Sequence, residues 1–413
     1  MDDGRLAILP RTATRDARLL VAARSLRSFG DGLTSVLLPA WLLALGHSAF
    51  EVGVLSTATL AGSAALTLGV GLMAHRTSPR RVLLASCALM LATGLGFATA
   101  SDFAVLLGVA FVGTLNPSAG DVSVFLPTEQ ALLVDTVAPA ERTALFARYN
   151  LCAALASALG ALAAGAPARI ASATGADLAD VARFAFAGYG LLAVAAALLY
   201  RQLGVGAPGP QRASPPRVAL SHSRAIVLRL TALFSLDSFG GGFVVQSILV
   251  LWLLRRYGLS LEAAGAVMSA TALLAALSQL ASAPLARRIG LIRTMAFTHL
   301  PANGFLVLAA FAPGPAGAIA CLLLRSALSQ MDVPARQAYV MSVVRPEERA
   351  AAASVTNVPR SLATAASPAL SGALLAASSF GWPLVAGGLL KIAYDLLLLA
   401  GFRHRPAPEE RAK

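Results

Sequence analysis

LPTEQALLVDTVAPAERTA, Leu126 to Ala144, returns as VPARQAYVMSVVRPEERAA, Val333 to Ala351, and that return decides the architecture. At a constant spacing of 207 residues, Pro127, Gln130, Val137, Pro139, Glu141, Arg142 and Asn150 meet Pro334, Gln337, Val344, Pro346, Glu348, Arg349 and Asn357. Chance does not hold one register over such a length. Working outward, SFGDG at Ser28–Gly32 is echoed by SFGGG at Ser238–Gly242. Between the copies lies GVGAPGPQRASPPR, 204–217, whose Pro, Gly and Ser content reads as a flexible linker. The chain is an internal duplication about that linker.

Composition says where the duplicated unit lives. Of the 413 residues, 57% are hydrophobic and only 13% are charged, against about 25% charged in a soluble protein. Lipid tolerates few charges, so the missing charge points to a surface that faces hydrocarbon. Crossing a hydrocarbon core takes roughly 20 apolar residues. Segments of that kind fall at 20–46, 50–74, 82–100, 104–136, 144–168 and 181–201, and again at 226–254, 262–286, 292–313, 316–344, 350–377 and 381–402. The expected fold is therefore an all-α membrane protein with twelve transmembrane helices. Its parts are a tail at 1–19, a six-helix half at 20–201, a linker at 202–225, a second six-helix half at 226–402 and a tail at 403–413.

The net charge of +13 does not indicate nucleic acid, because the arginines sit in short gaps between apolar runs. Arg76, Arg80, Arg81, Arg142, Arg148, Arg287, Arg288, Arg293, Arg345 and Arg349 mark one set of loops. Both termini and the linker join that set, and the positive-inside rule places them all in the cytoplasm of a bacterial inner membrane. Arg255 and Arg256 are exceptions. The opening MDDGRLAILPRTATRDAR is too polar for a cleavable signal peptide, so the first span is expected to anchor the chain uncleaved. Cys87, Cys152 and Cys321 lie far apart within apolar runs and read as buried hydrophobes. There is no P-loop, no metal-ligand spacing and no nucleophile motif, which argues against an enzyme and against a bound cofactor. Parallel six-span repeats are a transporter architecture with its solute site between the halves.

The loop after the second span reads GLMAHRTSPRR, Gly71 to Arg81, and LARRIGLIR, Leu285 to Arg293, is its weaker copy. With the duplication, these resemble the major facilitator superfamily over nearly the whole chain. The family loop runs roughly G-x-L-A-D-R-x-G-R-K. Gly71, Arg76 and Arg80 match it, followed here by Arg81, whereas His75 replaces the Asp and Ser78 the Gly. The resemblance implies that this loop clamps the two halves on the cytoplasmic side. It also implies that spans one, four, seven and ten line a central cavity. Each of those spans carries an aspartate near its middle: Asp31, Asp121, Asp237 and Asp332.

A charge inside a span costs several kcal/mol unless paired or wetted. The four acids are therefore expected to bind protons, a cationic solute, or both, with Phe125 and Gln246 as further cavity contacts. Pairing with Arg325, Arg336 or Arg360 is the competing role. Glu129, Gln130, Arg336 and Gln337 are expected to form a cytoplasmic gate, and Asn150 and Asn357 to bridge helices through their amides. Lys391 and Asp395, four apart, are expected to pair with each other. Trp41 and Trp252 read as interfacial anchors. These expectations add up to a monomeric, proton-coupled exporter of a small cationic or amphiphilic compound. Alternatives are transport of an organic anion by cavity arginines, and a non-transporting membrane sensor or assembly factor.

Overall fold

The structure, a computed structural model, describes residues 10, 12–73, 77–118, 123–138, 141–204, 223–345 and 348–402. Its regular elements are helices, and no strand occurs among the described residues. In the first half these are α1 Arg15–Ala44, α2 Ala49–Met73, α3 Pro79–Thr99, α4 Phe103–Val112, α5 Leu126–Leu133, α6 Arg142–Ala163, α7 Ala166–Thr174 and α8 Leu178–Arg201. The second half has α9 Arg224–Gly242, α10 Gln246–Tyr257, α11 Leu261–Ile289, α12 Leu291–Phe311, α13 Pro315–Ser329, α14 Asp332–Val343, α15 Arg349–Ala366, α16 Pro368–Ala377 and α17 Trp382–Phe402. Among the described residues, nine helical segments are long and apolar enough to cross a membrane. Of the remaining expected spans, 20–46 lies in α1, which carries Arg24, Arg27 and Asp31. The other two, 104–136 and 350–377, are interrupted helices.

The interruptions have local causes and recur at related places. α7, which follows a break after α6, has Pro167 at its second position, and α16 begins on Pro368. A proline has no N–H to continue the preceding helix and its ring crowds the turn before it. Close approach then fixes which residues stand at the crossings. A Cβ on Gly32 would collide with the backbone of Ser157, and one on Gly242 with that of Thr364. Ser157 and Thr364 are themselves 207 residues apart, so α1 crosses α6 as α9 crosses α15. At the end of α10, Gly258 takes the left-handed conformation at φ 61° that closes a helix without Cβ strain.

The outside is apolar: Phe184 is 79% exposed and Leu191 67%. So large an apolar surface suits lipid and not water. Three apolar clusters form the inside. One joins both halves, bringing Val36, Trp41 and Phe186 together with Ile248, Trp252 and Leu384. The other two keep to a single half each: Leu20, Leu83, Leu133 and Tyr149 in the first, Val227, Phe234, Met295 and Tyr394 in the second. The core is thus forked. It is continuous at the end holding the Gly46 and Gly258 turns, and divided at the end holding residues 12–15 and 402. Hydrogen bonds between the halves sit at the continuous end, where Ser56 and Ser247 hydroxyls meet at 3.1 Å and the Ala369 amide donates to Thr57 at 3.0 Å. The halves thus share one apolar cluster at that end, while at the end holding residues 12–15 and 402 each half keeps its own.

The tryptophans correct the sequence reading. Trp41 and Trp252 are both 0% exposed, inside the shared cluster. The Trp41 indole N–H donates to the Ala179 carbonyl at 3.1 Å, and its ring lies 4.7 Å from that of Phe186. A span end looks interfacial by count of residues, but here neighbouring helices cover it. Trp382, 49% exposed, is the outward-facing indole.

Candidate functional site

Polar side chains collect deep between the helices in two groups, one per half. In the first, Glu129 on α5 has no exposed surface, yet its carboxylate is fully engaged. It pairs with the Arg27 guanidinium, accepts from the Tyr149 hydroxyl at 2.7 Å and accepts from the Tyr200 hydroxyl. Arg27 also donates to the Tyr200 oxygen at 3.2 Å and stacks 3.9 Å above the Phe125 ring centre. A buried ion pair is tolerated only when its remaining lone pairs and protons are satisfied, and these four residues do that for one another. Helices α1, α5, α6 and α8 are tied together by this single carboxylate.

The second group is larger. The Lys391 ammonium donates to Asp237 Oδ1 at 2.6 Å, while Arg336 donates to Asp237 Oδ2 at 3.2 Å and lies 3.6 Å from Asp332. His299 on α12 sits with Nδ1 3.0 Å from Asp395 Oδ1, and the Asn303 amide donates to Asp395 Oδ2 at 3.1 Å. His299 Nε2 faces Asp237 Oδ1 at 3.9 Å. Lys391 therefore turns to Asp237 and leaves Asp395 to His299. The expected Lys391–Asp395 pair along one helix is corrected: packing of α17 against α9 and α12 offers each residue a nearer partner on another helix.

The two groups occupy corresponding places with exchanged charge. Arg27 and Asp237 both precede the repeated Ser-Phe-Gly, and Glu129 and Arg336 share one repeat position. What is Arg–Glu in one half is Asp–Arg in the other.

The remaining expected residues divide clearly. Asp237 and Asp332 are paired as above, whereas Asp31 is 4% exposed and its carboxylate makes no hydrogen bond or ion pair among the described residues. Arg325 likewise has none, and Arg360 donates to the Ser238 hydroxyl at 3.2 Å. Phe125 is 1% exposed under Arg27 and so is corrected from a solute contact to a core residue; Gln246 is half-buried. Glu129 and Arg336 are buried, but Gln130 is half-buried, Gln337 is exposed, and neither amide is hydrogen-bonded among the described residues. Asn150 and Asn357 are exposed and bridge no helices among the described residues, which corrects their expected role. In the loop motif, Gly71 and Arg81 are exposed, and Arg80 donates to the Arg201 carbonyl within the first half. Asp121 and Arg76 lie outside the described residues.

Sequence reading passed over Arg27, Tyr149, Tyr200 and His299. Arg27 and His299 carried the signal that picked the aspartates, an ionisable group inside a span. Tyr149 and Tyr200 carried none, since a tyrosine in an apolar run looks like any other packed ring.

Two helical halves joined at one end, each with buried ion-paired groups between its apolar helices, are the build of a multi-pass membrane transporter. The chain belongs to the Major Facilitator Superfamily, whose family profile matches residues 20–329 and 231–413. Among similar proteins is an uncharacterized membrane protein of Saccharomyces cerevisiae, 26% identical over 95% of both chains. A bacterial homolog of the human lysosomal transporter Spinster, in an inward-facing and occupied conformation, has the same fold at a TM-score of 0.75. It is 16% identical and covers 95% of this chain and 98% of its own. The nucleoside transporter NupG matches at a TM-score of 0.72, with 13% identity over 94% of this chain and 100% of its own.

Proposed function

We propose that this protein moves a small solute across the membrane by alternating access, as a monomer of twelve spans in two six-helix halves, driven by a proton gradient. The forked core carries the reading: halves that adhere at one end and part at the other form a cleft, and rocking about the charged centre would reverse it. Arginine-rich loops support a cytoplasmic position for the open end. The conformation described is then the inward-facing one of a protein in a bacterial inner membrane with cytoplasmic termini.

For the solute, the unpaired carboxylate of Asp31 supports export of a cationic or amphiphilic compound. One observation favours a second reading, an organic anion: among the described residues Arg325 has no hydrogen-bond or ion-pair partner and Arg360 only a hydroxyl, so two guanidiniums remain open. Thermal stabilisation of the purified protein across cations, zwitterions and organic anions separates the two, since a ligand bound to the folded state shifts its melting by mass action. Cation hits lost in Asp31→Asn support the first reading. Anion hits lost in Arg360→Gln transfer the solute to the second. Proteoliposomes loaded with a hit compound and given an imposed proton gradient test the coupling, and flux indifferent to the gradient removes it.

A further inference from the structure

Arg255 and Arg256 break the charge pattern of the chain. Arg80, Arg142, Arg288 and Arg293 stand at the end that bears the termini, as arginine-rich loops on one membrane face require. Arg255 and Arg256 instead close α10 at the opposite end, beside the Gly258 turn. Other arginines at that end have partners: Arg169 faces Glu262 at 4.0 Å, and Arg183 donates to the Ala98 carbonyl at 3.1 Å, beside Asp180. Arg255 and Arg256 are both exposed, and among the described residues neither makes an ion pair or a hydrogen bond. A cation in the last turn suits the helix dipole. The dipole does not explain the rings gathered beside it.

Those rings form a shelf. The Arg256 guanidinium lies 6.0 Å from the Tyr257 ring centre and 5.9 Å from that of Phe380. Phe380 in turn meets Phe311 at 5.3 Å and Trp382 at 4.9 Å. The Tyr257 hydroxyl donates to the Ala312 carbonyl at 2.9 Å, which fixes the end of α10 to the end of α12. Phe311 is 60% exposed and Trp382 49%, so one margin of the shelf is apolar surface of the kind that suits lipid. The other margin carries two unpaired positive charges. Water solvates the arginines but not Phe311 or Trp382, and a free phosphate ion meets the arginines alone. An amphiphile with an anionic head and a hydrocarbon tail meets both margins at once. We propose that this shelf binds an anionic phospholipid of the leaflet at that end. Its phosphate oxygens accept from Arg255 and Arg256, in the fork geometry that guanidinium offers to phosphate, and one acyl chain lies over Phe311 and Trp382. A zwitterionic headgroup is the poorer fit, because it brings a cation of its own to a place that already has two. The site is defined without reference to any solute and stands apart from the choice of cargo above.

Trp382 reports the lipid beside it. The full chain carrying Trp41→Phe and Trp252→Phe keeps Trp382 as its one indole. It is placed in phosphatidylcholine vesicles in which about one lipid in ten is replaced by a dibrominated lipid, either phosphatidylglycerol or phosphatidylcholine. We expect the brominated phosphatidylglycerol to associate with Trp382 about tenfold more tightly than the brominated phosphatidylcholine, as two arginines facing one anionic headgroup imply. Arg255→Gln with Arg256→Gln should bring the two lipids to parity. Both side chains are exposed, and thermal unfolding in the same vesicles confirms that the variant is folded. Equal quenching by the two lipids before the substitutions overturns the proposal, and so does a preference that survives them. Inorganic phosphate at matched ionic strength should leave the preference in place. Its loss there would assign the arginines to a free anion and remove the lipid.

Discussion

Glu129 and Arg336 occupy one repeat position, 207 residues apart, and reach opposite charges on the corresponding helix of their own half: Arg27 on α1 and Asp237 on α9. The duplication has kept an ion pair at each place while exchanging which helix supplies the acid. Coulomb attraction does not depend on that order, so a swap in one half costs little once both partners change. A change in one partner alone costs much.

Glu129→Gln should therefore destabilise by about 3–5 kcal/mol, because Arg27 is left charged and dry. Arg27→Glu combined with Glu129→Arg should recover a substantial part of that loss. Thermal unfolding of the two proteins in the same detergent checks both. Equal losses in the single and double variants would mean that Tyr149 and Tyr200, not the charges, set the pairing.

The tyrosines have their own test. Tyr149→Phe removes a 2.7 Å hydrogen bond to the Glu129 carboxylate without opening a cavity. The expected loss is about 1.5–3 kcal/mol, the range for a hydrogen bond to a charged group. Tyr394→Phe in the other half should cost far less, since its hydroxyl has no hydrogen-bond partner among the described residues.

Gly53 and Gly372 meet where the halves adhere: a Cβ on Gly53 would lie 2.8 Å from the Gly372 Cα. Gly372→Trp should wedge that end apart and shift the protein toward the oppositely open state. A cysteine at the buried Ser56 position then reports the change. We expect a membrane-impermeant maleimide to label Ser56→Cys from the adhering end at least tenfold faster in the Gly372→Trp background. An unchanged rate would show that the glycine contact does not close the cleft.

Fluorescence separates the three indoles. Brominated lipid should quench Trp382, which is 49% exposed, and spare Trp41 and Trp252, which are fully buried. Each is isolated by replacing the other two with Phe. Quenching of Trp41 to the level of Trp382 would restore the interfacial role that its place in the sequence suggested.

Much of this was legible in the chain itself. The spacing of apolar runs, the 207-residue register and the Gly71–Arg81 loop led to the fold, since length and lipid exposure are properties of a single segment. The aspartates stood out for the same reason: a charge in an apolar run is visible without knowing its neighbours. Of their partners, Arg336 was among the candidates, but Lys391 and His299 were not visible. Lys391 sits one helical turn from Asp395 and yet pairs with Asp237, 154 residues away. The Arg27 and Glu129 side chains meet across 102 residues.

The sequence by itself determined that this is a duplicated helical membrane protein with ionisable groups in its interior, because hydrophobic periodicity and segment length act locally along the chain. Only the tertiary structure decided which charges cancel, which remain open at Asp31 and Arg325, and that the core forks toward the termini. Those outcomes depend on differences of an ångström between side chains on separate helices. In a medium of low dielectric, such differences are worth several kcal/mol.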